Sequence, residues 1–259
     1  MKRLVQWMVV LAVIVPAVPV IAEDDQTIAY FYPLRTRRPV IERELELRVE
    51  HEKGREGRAT EVAAAIELPI LPRWQVEVEV PLVFLDPREG PSVGGFGDVT
   101  VESKVLVWRS LEQLAALAVG VEGRLPSGSE RRALGGEAAV EPFAAFGIAL
   151  GDFDVLTSVA YEFNVNTGVK GPNEQELGAS AALGWRLHRL FTPLVELTTV
   201  TRTRGDNEDG LRHRTQVYVI PGFNVRPLPG TTLRLGLELP LTDARTHDYA
   251  ILGGLVKEF

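Results

Sequence analysis

The sequence predicts an all-β fold, a transmembrane antiparallel β-barrel of about twelve strands preceded by a cleaved signal peptide. Three observations predict it. Apolar and polar residues alternate with period two over twelve short segments; the connections between those segments alternate between brief and long or polar; and a short apolar leader opens a chain in which no later uncharged run is long enough for a spanning helix.

Lys2 and Arg3 precede an uncharged stretch over residues 4–21, and Val20, Ile21 and Ala22 form a small-residue cleavage site before Glu23, Asp24 and Asp25. Pro16 and Pro19 break the second half of the stretch, which favours cleavage over an uncleaved membrane anchor. The expected organisation is a signal peptide over 1–22, an N-terminal periplasmic extension over 23–40 and a barrel over 41–259. Removing two of the 28 basic residues with the leader leaves 26 against 35 acidic ones, a net charge of −9.

The first barrel strand alternates Leu45, Leu47 and Val49 with Glu44, Glu46, Arg48 and Glu50. Weaker alternation follows over 62–68, and then the cleanest run of the chain, Trp74, Gln75, Val76, Glu77, Val78, Glu79, Val80. Further strands are expected over 99–107, 115–125, 140–150, 153–165, 177–187, 191–201 and 217–225. Leu233, Leu235, Leu237 and Leu239 then alternate with Arg234, Gly236 and Glu238, and the last strand runs over 249–259. Runs of about ten residues match a tilted strand crossing hydrocarbon.

One set of connections is brief, over 71–73, 109–113, 151–152, 188–190 and 226–230. The other is longer or more polar, over 53–58, 86–94, 126–135, 166–174, 204–212 and 242–248. An even number of strands with short turns at one end and long loops at the other is the plan of an outer-membrane barrel, in which closure leaves no backbone group unpaired in lipid. Aromatic residues gather towards the two ends: Trp74, Phe153, Trp185, Phe191, Phe223 and Phe259 near the short turns, Tyr161, Phe163 and Tyr249 near the long loops. Phe146 falls at mid-strand, and Trp108 has the parity of an inward residue. A helical reading stays open at two places: Ser110 to Gln113 make a capping-box pattern, and residues 173–190 contain good helix formers, although Gly120, Gly123, Gly178 and Gly184 weaken both.

Several classes are excluded. No cysteine is present, so disulfide scaffolds, thiolate metal sites and a lipid-anchored N-terminal cysteine are closed. The acidic balance and the lack of any basic block argue against nucleic acid. His51, His213 and His247 fall at the long-loop rim near Asp206, Glu208, Asp209 and Asp243. No zinc or hydrolase motif accompanies them, so no catalytic residue, metal or cofactor is expected, and His188 sits in a short turn.

On the strand register the inward acids are Glu44, Glu46, Glu50, Glu67, Glu77, Glu79, Asp98, Glu102, Glu122, Glu141, Asp154, Glu162, Glu176, Glu196 and Glu238. The inward bases are only Arg48, Lys104, Arg124, Arg186, Arg202 and Arg234. From these, Asp98, Glu102, Lys104, Glu122, Arg124, Glu141, Glu162, Arg186, Glu196, Arg202, Arg234 and Glu238 are the candidates for lining a transport path, with an acidic excess that favours cations if water passes. Small residues such as Ala118, Gly147 and Gly184 share the inward face and leave room for a solute or for an inward-folding segment. Leu106, Phe143, Leu156, Leu194, Tyr218 and Ile220 would meet a small aromatic ligand or a plug.

Two segments carry a family resemblance. Gly95, Phe96, Gly97 and Asp98, followed by Lys104, together with Leu125, Pro126, Ser127 and Gly128, resemble elements of the outer-membrane proteins named for the meta-pathway of phenol degradation. The resemblance implies a barrel over nearly the whole mature chain and transport of aromatic or other small apolar compounds. Read from the residues alone, Gly95 and Gly97 turn a loop into a strand and Asp98 accepts backbone N–H bonds at the entry. The terminal Phe259 resembles the signal by which barrels are recognised for insertion, and Lys257 departs from it.

The expected function is passive passage of small molecules through the outer membrane of a Gram-negative bacterium. The expected partners are the lipid bilayer, the barrel-assembly machinery through the C-terminal strand, and a small solute. A filled, non-conducting barrel and a soluble periplasmic β-protein that binds small apolar ligands are the alternatives.

Overall fold

The structure, a computed structural model, describes residues 28–165, 174–205 and 210–259; the signal peptide expected over 1–22 lies outside them. Thirteen strands follow in order: β1 (Glu44–Gly54), β2 (Gly57–Leu71), β3 (Trp74–Pro87), β4 (Val93–Phe96), β5 (Val99–Ser110), β6 (Ala115–Leu125), β7 (Ala138–Leu150), β8 (Phe153–Val165), β9 (Gln175–Trp185), β10 (Phe191–Arg204), β11 (Thr215–Leu228), β12 (Thr231–Pro240) and β13 (His247–Glu258). Each pairs antiparallel with its neighbours, and β13 returns to β1, with Leu47 opposite Leu255, to close the sheet.

The wall has twelve positions, as expected, because β4 and β5 share one. β5 pairs the short-turn half of β3 (Trp74↔Val105 to Glu79↔Thr100), and β4 pairs the long-loop half (Leu82↔Phe96 to Leu85↔Val93). Gly97 and Asp98 make the break. Both segments with helical character are strand: 115–119 lie in β6, and the second enters β9 from Gln175 onward. Two-residue turns fit the short end because Gly151 and Gly230 take φ of 60° and 61°, the left-handed geometry that such hairpins require.

The alternation sorts the side chains by face. Leu47, Val49, Val121, Val159, Leu197, Leu235 and Ile251 are exposed on the outer face, while Glu67, Gln75, Glu102, Lys104, Glu196 and Glu238 are buried inside. An apolar outer band over a charged interior is stable only with lipid outside. Phe153 stacks on Trp185 (6.0 Å) and Phe191 meets Phe223 (5.8 Å) at the short-turn end, with Tyr161 against Phe163 (4.7 Å) at the other. Trp108, given inward parity by the sequence, is on the outside. The register of β5 against β6 slips between Leu106 and Trp108, so this bulge places Val107 and Trp108 on the same face.

The larger correction concerns the N-terminal extension. Expected as a periplasmic segment over 23–40, it lies inside the barrel from Ile28 onward: it enters at the short-turn end, turns at mid-lumen near Arg35 and Arg37, and returns to β1 at Glu44. Ile28, Tyr30, Phe31 and Val40 pack against Leu106, Ala116, Leu156, Ala182 and Leu194 as one apolar cluster. These wall residues face inward with no lipid to cover them, so the chain's own segment does so.

A closed barrel of this kind resists detergent until heated. Unboiled protein is expected to migrate differently from boiled protein on a gel. A single unshifted band found in the soluble fraction would assign the alternation to a soluble β-fold.

Candidate functional site

The inserted segment is anchored by side chains from around the wall. The Tyr30 hydroxyl reaches the carbonyls of Gly147 (2.9 Å) and Leu114 (3.1 Å). Asn224 clasps the Tyr32 backbone from both sides: its Oδ1 accepts the Tyr32 N–H and its Nδ2 donates to the Tyr32 carbonyl, each at 2.8 Å. The Tyr32 hydroxyl donates to Glu44 (2.8 Å) and Glu258 (2.6 Å), and the Arg38 guanidinium lies 3.8 Å over its ring. Burial pushes both tyrosine hydroxyls above their ordinary range, so they remain protonated donors.

Small wall residues make the space. A Cβ on Gly184 would strike the Phe31 ring, one on Gly236 would strike Leu34, and one on Gly147 would come within 3.0 Å of Tyr30 and Pro39. The small-residue stripe therefore serves an inward segment, the second of the two uses its sequence allowed.

At the segment's tip the polar contacts converge. Glu196, fully buried at mid-strand on β10, accepts the N–H groups of Leu34, Arg35 (3.1 Å) and Thr36 (2.9 Å) and the Thr36 hydroxyl (2.8 Å). Arg35 pairs with Glu50 and with Glu238 (2.9 Å), and Glu238 also meets His247 Nε2 at 2.9 Å. Arg37 pairs with Glu102, Glu122 (2.9 Å) and Glu141 (2.6 Å), its guanidinium 4.1 Å from the centre of the Phe143 ring. Arg234 donates to the Pro33 carbonyl and pairs with Glu46.

Register explains why three carboxylates reach one guanidinium. Glu44 stands opposite Glu67 on β2, Glu67 opposite Glu77 on β3, Glu77 opposite Glu102 on β5, Glu102 opposite Glu122 on β6, and Glu122 opposite Glu141 on β7. Six glutamates thus form one row across six neighbouring positions. The row climbs from the short-turn end at Glu44 towards the long-loop end at Glu141, because paired positions in a tilted barrel shift along its axis. Like charges placed directly opposite repel. The row is held by Arg37, by Arg38 at Glu42 and Glu44, by Lys104 between Glu67 (3.8 Å) and Glu102 (4.0 Å), and by Arg48 at Glu77 and Glu79.

A cavity of about 630 Å³ runs alongside the tip of the inserted segment, its lining reaching from Glu44 near the short-turn end to Glu176 and His247 near the long loops. Its walls carry fourteen glutamates against six arginines and lysines, so the space stays acidic even with the inserted arginines counted. Glu50 and Glu61 face each other across β1 and β2 within it. Tyr218 stacks on His247 at 4.6 Å. Leu106, Leu156 and Leu194 lie under the inserted segment and do not line this space.

The twelve candidates therefore divide. Glu102, Glu122, Glu141, Glu196, Arg234 and Glu238 hold the inserted segment, and Lys104 bridges the glutamate row. Arg124 pairs with Glu162 across β7 at 2.6 Å. Arg186 reaches Asp154 (3.4 Å) at the short-turn end, and Arg202 meets Glu174 and Glu176 near the long loops. Asp98 is a correction: its carboxylate accepts N–H bonds from Gly128 (2.7 Å), Gly136 (2.9 Å) and Glu137 (3.1 Å), so it clasps the β6–β7 loop and does not face the cavity. Ser127 completes the clasp by accepting the Val99 N–H (2.8 Å), so the two sequence motifs form one unit. His213 sits on a loop at φ 60°, and Asp206, Glu208 and Asp209 lie outside the described residues.

The sequence reading missed Arg35, Arg37 and Arg38. Their signal was available: three arginines within four positions, after Tyr30, Phe31 and Tyr32, ahead of a wall short of cations.

A closed antiparallel wall, apolar outside and charged inside, defines an outer-membrane β-barrel. Solved structures share the fold: an outer membrane channel from Pseudomonas putida F1 (14% identity, TM-score 0.63, covering 89% of this chain and all of that one), the NanC porin (11%, 0.57, 83% and 98%), and the KdgM porin in complex with disordered oligogalacturonate (9%, 0.56, 83% and 99%). Residues 66–247 match the family described as "Putative MetA-pathway of phenol degradation", and the chain belongs to that family. Among curated proteins, none matches by sequence.

Asp98→Ala removes the acceptor of three backbone donors and is expected to cost about 2 kcal/mol, since the part-buried donors regain only some of those bonds from water. The midpoint temperature of the gel-mobility shift should fall, and fall less for Asp98→Asn. An unchanged midpoint for Asp98→Ala would show that the clasp adds nothing to stability.

Proposed function

We propose that the protein is an outer-membrane channel through which small solutes pass down their concentration gradient, with the inserted N-terminal segment constricting the lumen. The observation that supports this most directly is the charged cavity alongside the segment's tip, inside a wall whose outer face is apolar. A lumen that served only packing would be filled along its length, whereas here a charge-walled space runs beside the segment. The lipid bilayer and, through β13 and the exposed Phe259, the barrel-assembly machinery are the partners this reading assigns. Passage, not catalysis, is its chemistry.

The aromatic or apolar solutes implied by the family's name would meet Leu106, Leu156 and Leu194 only after the segment moves away. A filled, non-conducting barrel is the second reading, favoured by the number of bonds that converge on the tip from Glu196.

Glu196→Ala removes four of those bonds and should loosen the tip. In planar bilayers the native protein is expected to conduct weakly and the Glu196→Ala protein severalfold more. Silence from both, with the gel shift of each intact, would establish the filled barrel instead.

A further inference from the structure

We infer that Glu102, Glu122, Glu141 and Phe143 form a binding site for solutes bearing a guanidinium group, and that Arg37 occupies it as a tethered competitor. The inference rests on the channel reading and names the class of solute it serves.

Arg37 displays what the site accepts. Its planar guanidinium meets one carboxylate through Nη1 and two through Nη2, while an aromatic face lies 4.1 Å from its central carbon. Several carboxylates around a planar cation and a ring beneath it match the fork and the stacking preference of a guanidinium better than the compact, strongly hydrated charge of an ammonium. The site also opens to the cavity: the Arg37, Glu122 and Glu141 side chains keep 23%, 24% and 23% of their exposure.

Apart from holding Arg37, such a grouping gives the wall nothing. Three glutamates side by side on neighbouring strands repel one another, so the sheet alone would be better served by neutral residues. A cation placed among them reverses that cost. Exchange of Arg37 for a solute of the same charge and shape keeps every carboxylate paired throughout, so the site need not pass through a state with uncompensated charge. The rest of the glutamate row, towards the short-turn end, is already paired with Lys104, Arg38 and Arg48, which leaves Arg37 as the cation a solute would replace.

The test vacates the site in the full-length barrel. For Arg37→Ala in planar bilayers, a gradient of guanidinium chloride against sodium chloride is expected to give a permeability ratio about threefold above the ratio of bulk mobilities, the size of one exposed cation–π contact. Calorimetric titration of agmatine into the same variant should saturate. Adding Glu122→Gln should lower both signals. If Arg37→Ala leaves no gel-shifted barrel, Arg37→Gln, which keeps hydrogen-bond donors in the site, takes its place. Conduction with a mobility-like ratio and no saturable binding overturns the guanidinium site and leaves the channel standing. Silence together with saturable binding keeps the site and removes the channel. Silence without binding removes both.

Discussion

Carboxylates inside a closed wall must find cations, and the rest of this structure follows from that constraint. An inward register fixed by the outer apolar face puts glutamates on nearly every strand, several directly opposite one another. A buried carboxylate without a partner costs several kcal/mol, and the wall has too few bases to serve them all. Arg35, Arg37 and Arg38 supply the difference from a segment that is not part of the wall. Its insertion is therefore a condition for the wall's stability as much as an obstruction of the lumen.

The same segment settles the apolar half. Tyr30, Phe31 and Val40 fill the space beside Leu106, Leu156 and Leu194, and glycines at 147, 184 and 236 keep the wall thin where Tyr30, Phe31 and Leu34 approach. Two complementary fits are superimposed on one stretch of chain: shape towards the short-turn end and charge at the tip. Either alone would leave the segment loosely held, because aromatic burial does not fix its rotation and ion pairs through long side chains do not fix its depth. The backbone bonds from Glu196 and Asn224 do both.

The barrel was legible because its signals are local and repeated. Period-two alternation gave the strands, their number and their faces, and turn chemistry separated the two ends. Trp108 escaped because a bulge is a property of two strands in register, invisible in either alone. The inserted segment escaped for a related reason: residues 28–43 have no period of their own and acquire their conformation from the wall. What did point to it was an imbalance, fifteen inward acids against six bases, which no set of wall strands could resolve. Asp98 was legible as an acceptor of backbone N–H groups, but the loop it clasps needed Gly128, thirty residues away, to be seen.

The division of the lumen also bears on what can cross it. On the channel reading, an apolar solute meets charged walls first, and the apolar cluster around Leu106, Leu156 and Leu194 is covered by the segment that would have to leave. Withdrawing the segment outright would take Arg35 from Glu50 and Glu238 and Arg37 from Glu102, Glu122 and Glu141, a cost that grows with each carboxylate left unpaired. A cationic solute avoids it, since each ion pair given up by an arginine is remade with the incoming charge. On the channel reading proposed above, the arrangement opposes neutral and anionic solutes most strongly, and the arginine contacts of its tip resemble the kind of solute it would oppose least.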